Sequence, residues 1–418
     1  IAMSLSSSEI QSILDASMLT GQPAILPPGR FVGNWQLKDV RSLRIQGAGK
    51  DATVLIGQDP SKPVLDARGL WFSTISDLCL QAGTAVQNAP VLNIDKGDRL
   101  GVQGNTFQNL LVNAQGINDG QRGPWAVGMC LEGQHGAQGD TQLFINCHLM
   151  GAKLACYYQM GFNALSNQFI GGNCMNYDRC GIELNCGSIN VYGMAFQSQS
   201  GVKQIRNGGW DIACFQGGSG IPMLITGCRT ESLRFCKSAW SQPATILCCA
   251  QEWAVGPYDP NHSYRKGDCI ADKQTLTIWE CQQDGDPIEL WKLVEHNAVE
   301  LENGRVMDSA FWGSVRQTIN PNTNGIQINK STKLQPGVDV VFVDATHNNV
   351  VVELPPTTDQ TPFHSVTVVR GDRSDNLVVV KSFMFNNDPF NHSVLIDSTK
   401  SVTFRALGGG TIDQRYYY

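Results

Sequence analysis

Eight stretches of this chain repeat one design, and few folds can absorb it. They are "LRIQGAGKD" (43–51), "STISDLCLQAG" (73–83), "GVQGNTFQNL" (101–110), "LFINCHLMG" (143–151), "ALSNQFIGG" (164–172), "INVYGMAFQSQ" (189–199), "MLITGCRTES" (223–232) and "TILCCAQEW" (245–253). Each has alternating apolar residues, a small or amide residue at a bend, and a second short strand. They recur irregularly, roughly every 20–40 residues, as the coils of a solenoid do when loop lengths vary. A β-sandwich also gives short strands with turn signals, but it does not give one bend eight times. Asn105, Asn146 and Asn167 are assigned here to the same bend position. Asn tolerates left-handed backbone and bonds its own main chain, so one per coil can stack into a ladder.

The flanks differ from this wall. Residues 6–18, "SSSEIQSILDASM", read as one amphipathic helix with serine N-caps, Glu9 in the first turn, and Ile10, Ile13 and Leu14 on one face. "AILPPGRF" (24–31) then hands the chain from helix to first strand, so that the helix covers the open end of the solenoid. Residues 254–296 are dense in aromatics and turn residues, and "AVELENGRVMDSAFWGS" (298–314) returns to a coil. After a polar linker, clean alternation resumes from about residue 338 ("VDVVFVDA", "NVVVELPP", "SVTVVRGD", "NLVVVKSF"), which predicts an antiparallel sandwich or barrel. The expected class is all-β. Its parts are a capping helix and leading strand (1–40), a parallel β-helix (41–253), a small aromatic module (254–296), a final coil (297–318) and a C-terminal β domain (319–418).

Composition narrows the function classes. Only 16% of residues are charged, Gly numbers 43, and 31 basic residues face 37 acidic ones for a net charge of −6. Nothing supplies a phosphate-neutralising stripe, which argues against nucleic acid. No apolar run approaches a membrane span and no signal-peptide pattern opens the sequence. The 14 cysteines lie in apolar strand-like settings without zinc-type spacing, and are read as free buried thiols of a protein assembled in a reducing cytosol. No nucleotide, zinc or serine-hydrolase motif is present, so neither cofactor nor metal is expected. His148, next to an inward-facing Cys147, is read as a wall residue.

The leading segment "EIQSILDAS…GQPAILPPGRF…LRIQGAGKDATVLIG" resembles the start of the pectate-lyase-like right-handed parallel β-helix superfamily, in which a capping helix passes through an "LPPGxY/F" strand into a first coil. That superfamily includes phage tailspikes, and "GIELNCGSINVYGMAFQSQSGV" followed by "ITGCRTES" resembles their coils. The resemblance implies a homotrimeric polysaccharide depolymerase of the virion, assembled in the bacterial cytoplasm, with a secreted microbial enzyme as the alternative location. Tyr264, Gly267, Asp268, Ile270, Trp279, Cys281 and Trp291 match, in order, the pattern of a small chitin- or cellulose-type carbohydrate-binding module. The region from 338 on resembles small β domains at the C-termini of phage tail proteins.

Chemistry is then sought among carboxylates. A solenoid lays equivalent positions of successive coils roughly 5 Å apart, so two acidic residues can face each other across neighbouring coils. Such pairs suit glycoside hydrolysis. Glu231, Asp211, Glu183 and Asp178 form the densest cluster in sequence and are the catalytic candidates, with Asp119, Glu132 and Asp140 in reserve. Glu183 is expected to point away from the core, and Asp211 to sit on a glycine-flanked excursion. Trp210, Arg229, Tyr258, Tyr264 and Trp279 are the candidates for holding sugar. The rival reaction, β-elimination on a uronic-acid polymer, would draw on Lys203, Arg206, Arg229, Tyr157 or Tyr158. A tail-fibre protein that only binds glycan is the reading from another class.

Overall fold

The computed structural model describes residues 5–117, 121–132, 139–161, 163–198, 209–215, 221–239, 241–252, 257–272, 277–285, 287–311, 314–317, 325–334, 340–354, 365–370, 374–381, 393–396, 401–408 and 411–417. The chain divides into two compact units, Ile1–Thr318 and Ile319–Tyr418.

The first unit opens with the helix α1, Ser7–Thr20. Ser6 and Glu9 form a capping box, and Gly21 closes the helix in the left-handed region. Ile10 and Leu14 are fully buried. Gln11 of the helix bonds both the N–H and the carbonyl of Gln36, and the Trp35 indole donates to the Ser7 carbonyl at 3.1 Å. Backbone groups on the terminal strand Trp35–Arg41 are thereby satisfied, which is what an uncovered sheet edge requires.

Each following coil contributes one strand to each of three parallel sheets, of ten, nine and ten strands. These sheets form a parallel β-helix. Coil one runs from Ala24 through Gly29–Gly33 to Trp35–Arg41, and coil nine from Ala244–Leu247 through Ala250–Gln251 to Asn297–Leu301. Inward side chains stack level on level. Phe107, Phe144 and Phe169 are register partners, and their rings lie parallel at 4.9 and 4.7 Å, close to the strand spacing itself.

Two bends carry the amide residues, so the single ladder is corrected to two. Ahead of the first-sheet strand, Asn105, Gln142 and Asn167 are buried. Asn105 bonds Gln142, and Asn167 accepts from the Gln142 N–H. After that strand, Asp77, Asn109 and Asn146 take left-handed φ values of 58°, 51° and 49°. Asn109 donates to Asp77, and Asn146 to Asn109, each at 3.0 Å. Gly171, Gly193 and Gly227 continue this second column at φ 61–62°. Asn146 therefore belongs with Asn109, apart from Asn105 and Asn167. Gly172, at φ 77°, leaves no room for a side chain, since a Cβ there would meet the Cys147 carbonyl at 2.1 Å.

Between Gln251 and Asn297 the chain builds a separate three-stranded antiparallel sheet (Cys269–Asp272, Thr277–Glu280, Lys292–Leu293) around buried Ile270, Cys281 and Trp291. None of the 14 cysteines is joined in a disulfide, and most are buried in the wall.

The second unit consists of a five-stranded and a four-stranded sheet around Val341, Val350, Val352, Val368, Val378 and Val380. The expected antiparallel pairing holds for its last strands: Ser365–Arg370 with Ser401–Gly408, Ser401–Gly408 with Thr411–Tyr417, and Val378–Lys381 with Ser393–Ile396. The earlier strands pair in parallel, for example Val340–Val343 with Ser365–Arg370. Alternation marks one buried face and carries no information on strand direction.

Candidate functional site

Four catalytic candidates close in sequence are not brought together. Asp178 sits in the turn after the second-sheet strand of coil six, paired with Arg122 at 2.8 Å. Glu183 lies on the outer face of the third sheet, nearly covered and ion-paired with Arg179 at 3.0 Å. Burial pushes its carboxyl above the ordinary Glu range, and the Arg179 guanidinium only partly opposes this. Asp211 lies inside the wall.

The placement of Asp211 corrects the sequence reading. It belongs to the strand Trp210–Cys214 of coil seven and is fully buried, where a groove carboxylate would be open to water. Its Oδ1 accepts from the Tyr177 hydroxyl and its Oδ2 from Thr230 Oγ1. Thr230 Oγ1 in turn accepts the Ser232 N–H at 2.9 Å, and Ser232 Oγ accepts the Ser198 N–H at 2.8 Å. This network ties coils six, seven and eight from within. Trp210 is likewise no open platform: it is 2% exposed, with Arg234 and Lys237 over its ring at 5.2 and 5.7 Å.

Glu231 lies outward between the two anchored residues Thr230 and Ser232. Its neighbour on the next coil is Glu252, which does not stand out in the sequence on charge alone. Thr230 pairs with Gln251 in the second sheet, and the Glu252 N–H donates to the Thr230 carbonyl at 2.7 Å, so Glu231 and Glu252 follow one another up the wall. Arg229 spans both, at 2.9 Å from Glu231 and 3.4 Å from Glu252. The Glu231 Oε2 also accepts from Gln197 Nε2, one coil below, at 2.9 Å. Side-chain exposures of 51% for Arg229, 30% for Glu231 and 50% for Glu252 leave this trio open to a solute. The signal that finds Glu252 is "CRTE" laid on "CAQE": Cys228 and Cys249 stack inward, and the glutamates recur three residues later.

The reserve acids serve loops. Glu132 pairs with Arg68 at 2.6 Å, and Asp140 accepts the Leu165 N–H at 2.9 Å. Asp119, Lys203 and Arg206 fall outside the described residues. Tyr157 is fully buried against Gln159, which removes it as a base for elimination, whereas Tyr158 stands on the outer face of the third sheet. In the small module Tyr258 stacks on Tyr264 at 5.5 Å, and both meet Trp291 edge-on. Tyr258 is 41% exposed, Trp279 half-buried and Trp291 buried. No group of ligands suited to a metal ion occurs among the described residues.

No family model matches the chain, and no curated protein matches it. Among solved structures, the ORF18 protein of Geobacillus virus E2 is similar over 98% of this chain and 72% of its own, at 9% identity and a TM-score of 0.27.

Proposed function

We propose that this chain cleaves a bacterial surface polysaccharide by glycoside hydrolysis at the outer wall of coils eight and nine. The observation that carries the reading is the solvent-open pair Glu231 and Glu252 on neighbouring coils, spanned by Arg229. One strand spacing, roughly 5 Å, separates their backbones. Retaining glycosidases hold their two carboxyl groups about 5–5.5 Å apart. Glu231, held by both Gln197 and Arg229, is the more rigidly fixed of the two and takes the role of nucleophile. Glu252, more exposed and held at 3.4 Å by Arg229, takes the role of acid, then base. Binding without cleavage is the second reading, favoured by the same Arg229 acting as a brace between the two acids.

The test is incubation with a panel of capsular and O-antigen polysaccharides. Shortened, saturated products whose first-formed anomer keeps the substrate's configuration are expected by mass and NMR. Ultraviolet-absorbing unsaturated ends would mean elimination instead, and binding with no loss of polymer size would leave only the second reading.

On the same reading the chain is a homotrimeric tail protein of a bacterial virus. The resemblance of its leading segment supports this, as does an outward column of the first sheet in which Ile145, Ile170 and Tyr192 are successive register partners, followed past Thr226 by Leu247, all partly exposed. Light scattering should give three times the chain mass, falling to one for Ile170→Lys combined with Leu247→Lys. A monomeric parent protein would refute the assembly.

A further inference from the structure

We infer that the outer face of the third sheet, around coils four to eight, is a second and non-cleaving glycan surface whose ligand is an acidic polysaccharide. The inference rests on the proposed function only in taking a polysaccharide as ligand, and it concerns a different sheet from Glu231 and Glu252.

The register builds this surface. Gly128, Tyr158, Glu183, Ala213, Lys237 and Glu300 are successive partners and form one outward column. Beside it runs a second column of Trp125, Ala155, Cys180 and Trp210. Trp125 and Tyr158 stack at 5.6 Å with planes 9° apart, and both are only half-buried. Paired aromatics standing out from a flat sheet suit the C–H faces of a sugar ring. Ala155, Cys180 and Ala213 are fully buried beneath Trp125, Tyr158, Trp210 and Phe215, so the aromatic rings stand on a packed base.

The charges around this platform select the ligand. Three cations lie along the same face: Arg179, near Tyr158 and over the Phe215 ring at 5.0 Å, and, further along the sheet, Arg234 and Lys237 over Trp210. Two carboxylates face them, Glu183 on Arg179 at 3.0 Å and Glu300 on Lys237 at 2.8 Å. Burial favours the neutral form of Glu183. For Glu300 burial works the same way but loses to hydrogen bonds from Lys237 and Asn297, so this acid stays ionised. With three cations against two carboxylates, the patch is positive on a chain whose net charge is −6. It also keeps Glu183 and Glu300 three coils apart, roughly 14 Å along the wall, too far for a hydrolytic pair. Stacking aromatics with surplus cations match a sugar chain bearing carboxylates.

The test is affinity electrophoresis of the full chain carrying Glu231→Gln and Glu252→Gln, in gels cast with polygalacturonate, alginate, hyaluronan or neutral dextran. Retardation by at least one acidic polymer, weakening with salt, and little or none by dextran is expected. Trp125→Ala with Tyr158→Ala should weaken it about tenfold. Tyr158→Phe should keep most of it, and Arg179→Gln should weaken it and flatten its salt dependence. Equal retardation by dextran, no retardation by any acidic polymer, or unchanged retardation in both the aromatic double variant and Arg179→Gln would each overturn the inference. Loss of the trimer in the aromatic variant would assign the face to a second copy instead. Retardation by a polymer that the parent protein leaves uncut keeps this inference while counting against the proposed function.

Discussion

Glu231→Gln and Glu252→Gln are each expected to lower the rate of reducing-end release from the cognate polysaccharide by about 10²–10⁴-fold, the range for a group that handles the reacting bond. Both side chains are solvent-open and outside the core, so each variant should melt within about 2 °C of the parent. The two losses should not add in the double variant, since nucleophile and acid–base partner serve one displacement. The assignment falls if either variant keeps a tenth of the parent activity. Arg229→Gln separates the two roles proposed for this trio. If Arg229 only braces the acids, its loss costs stability and spares turnover. If it orients them around a sugar, kcat falls while the melting temperature stays.

How far this site can be read from the sequence depends on which link of the chain is local. The capping helix and the bends are local, set by Ser6, Glu9, Gly21 and by amides or glycines that accept left-handed backbone, and they are legible. The outward direction of Glu231 is legible too, because the second sheet alternates regularly there. Asp211 is not, because the third-sheet strands break period two. Those of coils four, five and seven place two consecutive residues inward: Ala126 and Val127, Cys156 and Tyr157, and Asp211 and Ile212 are all buried. The glycines around "GGWDIACF" read as an excursion, and with no clean alternation to mark a strand, Asp211 and Trp210 are assigned to an open site when they belong to the wall. The two bends, four residues apart in register, are equally indistinct, since Asn105 precedes and Asn146 follows a strand of only three residues. Glu252 becomes visible only when coils are laid in register, since spacing along the chain says nothing of stacking across it.

Asp211→Ala is expected to be the most destabilising single change in the solenoid wall, although the residue touches no solvent. The substitution removes the carboxylate that accepts from both the Tyr177 and Thr230 hydroxyls, leaving them only their weaker contacts to Ser232, and opens a small cavity between coils six and eight. Each buried hydroxyl donor that loses its acceptor costs about 1–3 kcal/mol. With the cavity, the total is about 3–5 kcal/mol. A fall of about 5–10 °C in the melting temperature should follow, read by circular dichroism or calorimetry. Asp211→Asn keeps one acceptor and should lose about half as much. The same network fixes Thr230 and Ser232 on either side of Glu231, so Asp211 acts on the candidate site as a positioning residue through the backbone. At a temperature well below its melting point, Asp211→Asn should therefore lower kcat several-fold with KM unchanged. A purely structural role would leave kcat alone in the folded fraction. An unshifted melting temperature in Asp211→Ala would mean that the wall does not depend on this carboxylate at all.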